Sequence, residues 1–271
     1  MVFNEGKFDV LRFWQNREEA PDILYLGPDG GPIEEKECFR DLGVRISTDM
    51  SFTTQIDMTI DSASCMSGWV LRTFRRRNSH LMLTLLRSLI QPRLDYCSQL
   101  WSPSAQEHIN KLETVQRSLI SRIKDRKVQG LSYWDKLKCL RLYSQERRRE
   151  RYNIIFIWKI SQGLVLGYDI PFTCRSSRTG RKAVPVKVNQ TAPAAVRNAR
   201  ASSLAVKGAQ LFNLLPVHLR NSEHGDILMF KNHLDIFLKN IPDQPTTPGL
   251  VRASETNSLL HQITMWEANQ N

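Results

Sequence analysis

The residues best placed to do chemistry in this chain are arginines. Arg72, Arg75 and Arg76 recur at i, i+3 and i+4, with Arg77 beside them. On a helix that spacing gathers the three on one face, and Trp69 and Phe74 interleave with them. Guanidinium groups placed so could neutralise phosphates while an aromatic ring stacks on a base or sugar. The same positions also suit a plainer role, as cations complementing the negative end of a helix dipole with Phe74 in a core stripe. A second cluster is Arg147, Arg148, Arg149 and Arg151, preceded by Arg141. Three consecutive arginines splay around a helix, so at least one is expected to pair with Glu146 or Glu150. Arg117, Arg122, Lys124, Arg126 and Lys127, on the helix before, add weight to a phosphate-binding role. A third group, Arg175, Arg178, Arg181 and Lys182, fits equally a sequence-independent nucleic-acid arm and a solvated linker.

The charge distribution agrees with a polyanionic partner. The net charge is +11 over 271 residues, unevenly placed. Residues 1–60 carry six Lys/Arg against twelve Asp/Glu, and residues 111–151 carry thirteen against five. A concentrated basic region is the electrostatic footprint of nucleic-acid binding. A membrane surface is disfavoured, since no lipid-insertion motif accompanies the charge and no apolar run reaches spanning length.

Other chemistries find no support. The sequence holds no G-x-S-x-G, phosphate-binding loop, G-x-G-x-x-G or H-E-x-x-H pattern. Two-metal phosphoryl transfer needs clustered carboxylates holding cations about 3.5–4 Å apart, and no two aspartates are adjacent. Asp57 and Asp61 share a helix face, but a solvated acidic patch near a helix N-terminus accounts for them. The six histidines fall at no ligand spacing, so neither metal nor cofactor is expected. Five scattered cysteines without a C-x-x-C suggest a reducing compartment. With no leader-like apolar segment at residues 1–7, an intracellular protein, cytoplasmic or nuclear, is expected. The aromatic set Tyr96, Trp101, Tyr133, Trp134 and Trp158 reads as core.

The elements that must carry these groups are mainly helices. Residues 1–52 read as short strands and turns, with Ile23–Leu26 and Leu42–Ile46 as strand candidates of a hairpin. From residue 53 the period becomes helical: Ile56, Ile60, Ala63, Ser67, Val70 and Phe74 form one stripe. A second helix is expected from a Ser79 cap to a stop near Pro92. Others follow over 105–127, over 132–140, and from a Ser144 cap to a Gly163 stop. Residues 164–200 show no stripe and read as an irregular basic connector, with Val184–Val188 a candidate edge strand. A C-terminal helical unit spans 201–241, and the Pro/Thr/Ser-rich tail 242–271 is expected to be loose.

The order of several short motifs resembles one family. Leu94-Asp95-Tyr96-Cys97-Ser98-x-Leu100-Trp101-Ser102-Pro103 is the strongest match. Around it stand Asp41-Leu42-Gly43-Val44, Leu112-Glu113-x-Val115-Gln116-Arg117, Tyr133-Trp134-Asp135-x-Leu137 and Leu211-Phe212-Asn213-x-Leu215-Pro216. Together they are similar to the region that follows the catalytic palm in reverse transcriptases of non-LTR retrotransposons, RNA-directed DNA polymerases of transposable elements. The resemblance implies a thumb-like helical bundle, residues 53–163, that grips a template–primer duplex. It places the palm and its catalytic acids before Met1, so the chain is expected to be a truncated fragment, inert alone. Any polymerase activity would need a palm-containing chain.

The resulting expectation is a mainly α protein with a small N-terminal β hairpin, a thumb-like bundle and a basic irregular connector. It would bind RNA or RNA–DNA duplex backbone without sequence specificity, through Arg72, Arg75, Arg76, Arg77, Arg117, Arg122, Arg147, Arg148 and Arg151. The competing expectation is a helical protein–protein scaffold, or a relic without a nucleic-acid role. A contiguous basic groove favours the first; arginines dispersed or paired with acids favour the second.

Overall fold

The computed structural model describes residues 8–13, 23–167, 170–174, 180–221, 226–245 and 257–268. The fold is mainly α with a small N-terminal hairpin, as expected. That hairpin pairs β1 (Cys38–Asp41) with β2 (Val44–Ser47), antiparallel, around Leu42 and Gly43 at positive φ. It is more local than the expected pairing. Ile23–Leu26 instead meets only an isolated bridge at Pro32 across the Gly27–Gly31 turn.

Helix α1 (Thr53–Thr73) buries Ile56, Ala63, Ser67 and Val70, the stripe read from the sequence. Then α2 (Ser79–Leu85) begins at Asn78, whose side chain accepts from the Leu81 N–H; Ser79 is not the cap. Its hydroxyl instead donates to Asp125 at 2.5 Å. The helix does not stop at Pro92. A π-helical turn (Leu86–Ile90) widens it and leads into α3 (Gln91–Asp95), with Pro92 in the first turn. Proline lacks an N–H, and its ring collides with the carbonyl four residues back; the wider turn accommodates both. The chain turns at Cys97, in the left-handed region at φ 50°, into α4 (Ser98–Trp101).

Helix α5 (Gln106–Ser121) turns Ile109, Leu112, Val115, Leu119 and Ile120 inward, and ends six residues before the expected 127. Ser132 caps α6 (Tyr133–Leu140), and Ser144 caps α7 (Gln145–Ser161), the latter as expected. Gly163, at φ 69°, follows α7.

The connector is not irregular throughout. It contains a second hairpin, β3 (Phe172–Cys174) with β4 (Arg181–Ala183), and a helix, α8 (Ala194–Ser202). β4 precedes the expected edge strand: Asn213 accepts from the Ala183 N–H and donates to its carbonyl, which places the register there. A second π turn (Leu204–Gly208) opens α9 (Ala209–Asn213), followed by α10 (Val217–Arg220) and α11 (Ile227–Lys239). The tail is not loose over its described part. α12 (Leu259–Ala268) buries Leu259 and Ile263. The helix is ten residues long and follows a Pro/Thr-rich stretch, which hid its apolar positions from the sequence pattern.

Two apolar cores result. The first joins Val44, α1, α2, α5 and α6; the second joins the later part of α7, from Ile154, to α9, α11 and α12. The first core takes in no residue after Leu142 and the second none before Tyr143.

Candidate nucleic-acid interface

The start of α7 crosses between the two cores, and the arginine run 147–151 lies there. Its side chains turn inward. Arg147 is 0% exposed, and its Nη2 donates to the Pro242 carbonyl at 2.7 Å. Arg148 binds both oxygens of Asp95, and its Nε lies 2.9 Å from Oδ2. Arg149 is buried, stacked over Trp101 at 5.2 Å, and burial pushes its guanidinium down to about 10. Arg151 pairs with Asp235. The expected phosphate-facing roles of Arg147, Arg148 and Arg151 are thus corrected. A helix packed on both sides has no solvent face on which to splay three cations, so carbonyls and carboxylates take them up.

Asp95, at the corner of the best-matched motif, organises one side of this junction. It also accepts from Gln91 at 2.7 Å and from the Tyr152 hydroxyl at 2.9 Å. Glu113 organises the other. One carboxylate oxygen accepts from the Tyr133 hydroxyl and the other from the Gln145 N–H at 2.7 Å. Burial pushes the Glu113 carboxyl up to about 7, overriding those hydrogen bonds, which favour the ionised form. Burial and the facing carboxylate likewise push the Tyr133 hydroxyl up. Neither carboxylate was singled out as a centre by sequence, because each gathers partners from distant segments.

The other two clusters behave differently. α1 ends at Thr73, so Arg75, Arg76 and Arg77 do not share its face with Arg72; they follow in a non-helical segment. This corrects the expected helical spacing. Phe74 leaves the helix to pack into the first core and edge-on against Trp69, with centroids 6.2 Å apart. The Lys124 N–H donates to the Arg77 carbonyl at 2.7 Å, and Asp125 binds Ser79. These two bonds clamp the segment after α1 to the loop after α5. They bring Arg72, Arg75 and Arg76 to the same end of the molecule as Arg122, Lys124 and Arg126, and all six are exposed. Trp69, 46% exposed, stands beside them. Arg77 is half-buried and donates to the Leu71 carbonyl.

Arg117 is exposed on α5, with its guanidinium 4.6 Å from the Tyr133 ring centre and 5.8 Å from that of Trp134. Trp101 and Trp158 are core, as expected, whereas Tyr96 is 51% exposed. In the connector, Arg175 and Arg178 lie outside the described residues. Arg181 is occupied internally, donating to the Ser161 carbonyl at 2.9 Å. Asp57 and Asp61 are exposed, and among the described residues no three His, Cys, Asp or Glu groups come together as a metal site. Among them, too, no helix is long and apolar enough to cross a membrane.

No family model, curated protein or solved structure matches this chain.

Proposed function

We propose that this chain is a helical unit of the kind found after the palm in reverse transcriptases, gripping the backbone of RNA or an RNA–DNA duplex without reading its sequence. The observation that carries this reading is the Lys124–Arg77 clamp, which unites two separate basic segments into one exposed cationic end. Phosphate contacts position a nucleic acid without specifying it, and the exposed Trp69 offers a ring for stacking. Catalysis is assigned to acids outside this sequence. Primer extension by the isolated chain with Mg²⁺ is expected to yield no product.

The decisive measurement is affinity against salt. Neutralising about six phosphates gives a slope of log K against log salt of roughly −5 on B-DNA and about −4 on a single strand. An affinity that ignores salt, or none at low salt, ends this reading. A scaffold role is the second reading, and α11 favours it by exposing Leu228, Met229 and Ile236. Binding lost on changing these three, and kept on changing the cations, would select the scaffold.

A further inference from the structure

A cleft of about 570 Å³ lies between the first hairpin, α1 and the Pro92–Tyr96 corner. That volume is in the range of small-molecule sites, about 300–1,000 Å³. Three guanidinium groups line it, from Arg40, Arg45 and Arg93, and no carboxylate is among the described lining residues. The hairpin register makes this costly. Arg40 lies directly opposite Arg45 across the two strands, so their side chains leave the same face. Like charges so placed, with Cβ atoms about 4.5–5.5 Å apart, destabilise a hairpin. The Arg45 Nε is buried and lacks a hydrogen-bond partner. None of the three forms a salt bridge with a described carboxylate.

The walls are fixed in advance. The Arg45 N–H donates to Gln55 Oε1 at 2.9 Å, holding β2 against α1. The Tyr96 hydroxyl donates to the Leu42 carbonyl at 2.6 Å, holding the corner against the hairpin turn. Gly43, at φ 89°, supplies the left-handed backbone that the hairpin turn beside the Tyr96 ring requires. Besides the cations, the hydroxyl-bearing residues Thr59 and Ser62 line the cleft.

We infer that this cleft binds a small, multiply phosphorylated polyol. The guanidinium fork matches phosphate oxygens two at a time. Several arginines without an acid call for more than one phosphate, and the hydroxyl-bearing wall suits the ligand's own hydroxyls. This site is separate from the cationic end formed by Arg72, Arg75, Arg76 and Arg122.

Calorimetric titration of the full chain tests it, with fructose 1,6-bisphosphate, fructose and a short DNA duplex as probes. The bisphosphate is expected to bind and fructose not to. R40Q/R93Q should weaken the bisphosphate about tenfold or more, since charge-assisted hydrogen bonds are lost, while R75Q/R76Q leaves it unchanged. Because Arg93 also donates to the Leu89 carbonyl, circular dichroism checks the fold. The exposed single variant R40Q should show the same direction of change. The inference is overturned if the bisphosphate does not bind, if R40Q/R93Q binds it as well as the parent, or if both double variants weaken it equally. Heat from the duplex alone overturns it too. Since the duplex is expected to respond to R75Q/R76Q, the two sites can fail independently.

Discussion

Arg151 grips Asp235 with two nitrogens, Nε to Oδ1 at 2.6 Å and Nη2 to Oδ2 at 2.8 Å. The Tyr143 hydroxyl donates to the same Oδ1 at 3.0 Å. One carboxylate on α11 thus holds the residue before the Ser144 cap and a residue about two turns into α7. The pair is only partly buried, so its worth is well below that of a fully enclosed ion pair. Asp235→Ala is expected to cost about 2 kcal/mol in urea unfolding, because it strands a cation and a hydroxyl together. A cost below about 0.5 kcal/mol would show that the pair is incidental.

The inward and outward arginines should separate by assay. Arg147→Ala leaves the Ile241 and Pro242 carbonyls without donors and opens a void, so about 3 kcal/mol of stability should be lost. The salt slope of nucleic-acid binding should not move. R75Q/R76Q should do the reverse. The slope becomes shallower by about two, and stability stays within about 0.5 kcal/mol, as for other surface changes.

Glu113 makes stability depend on pH. Its carboxyl titrates at about 7 in the folded chain against an ordinary 4.5. Folding therefore favours the protonated form. Its contribution is complete below pH 4.5 and is lost as pH rises to 7, a change of about 3 kcal/mol for a shift of this size. Above that range it is flat. Glu113→Gln keeps an oxygen for the Gln145 N–H and offers N–H groups toward Tyr133. Denaturant midpoints of this variant, from pH 4.5 to 8, should lose most of the decline seen in the parent. An unchanged decline would place its source elsewhere.

Asn78 caps α2 next to the clamp that unites the basic segments. Asn78→Ala is expected to cost about 1 kcal/mol. Hydrogen exchange should quicken at Leu81, the amide that Asn78 accepts.

What the sequence made legible was what local periodicity encodes. The stripe of α1, the inward face of α5 and the serine cap of α7 all stand where spacing placed them. Pro92 misled because proline ends an α-helix but not a chain that widens to a π turn first. Arg147, Arg148 and Arg151 looked like a cationic surface, since Asp95, Asp235 and the carbonyls that engage them lie 53 to 95 positions away in the chain. The clamp between Lys124 and Arg77 was equally hidden, being a main-chain bond between the segments that follow two helices. The three arginines of the cleft lie in separate segments, and no spacing rule joins them.

Glu150, buried in α7, accepts the Ser258 hydroxyl and the Leu259 N–H at 2.7 Å, and lies 3.3 Å from Lys207 Nζ. Its partners at the start of α12 are 108 positions downstream. Closing a loop of that length costs on the order of 4 kcal/mol of chain entropy before any contact repays it. During synthesis, α7 leaves the ribosome long before the groups that neutralise its carboxylate exist. The first core can assemble early from near neighbours. The second must wait, open and unsatisfied, and in that interval a nascent chain is most exposed to misassembly.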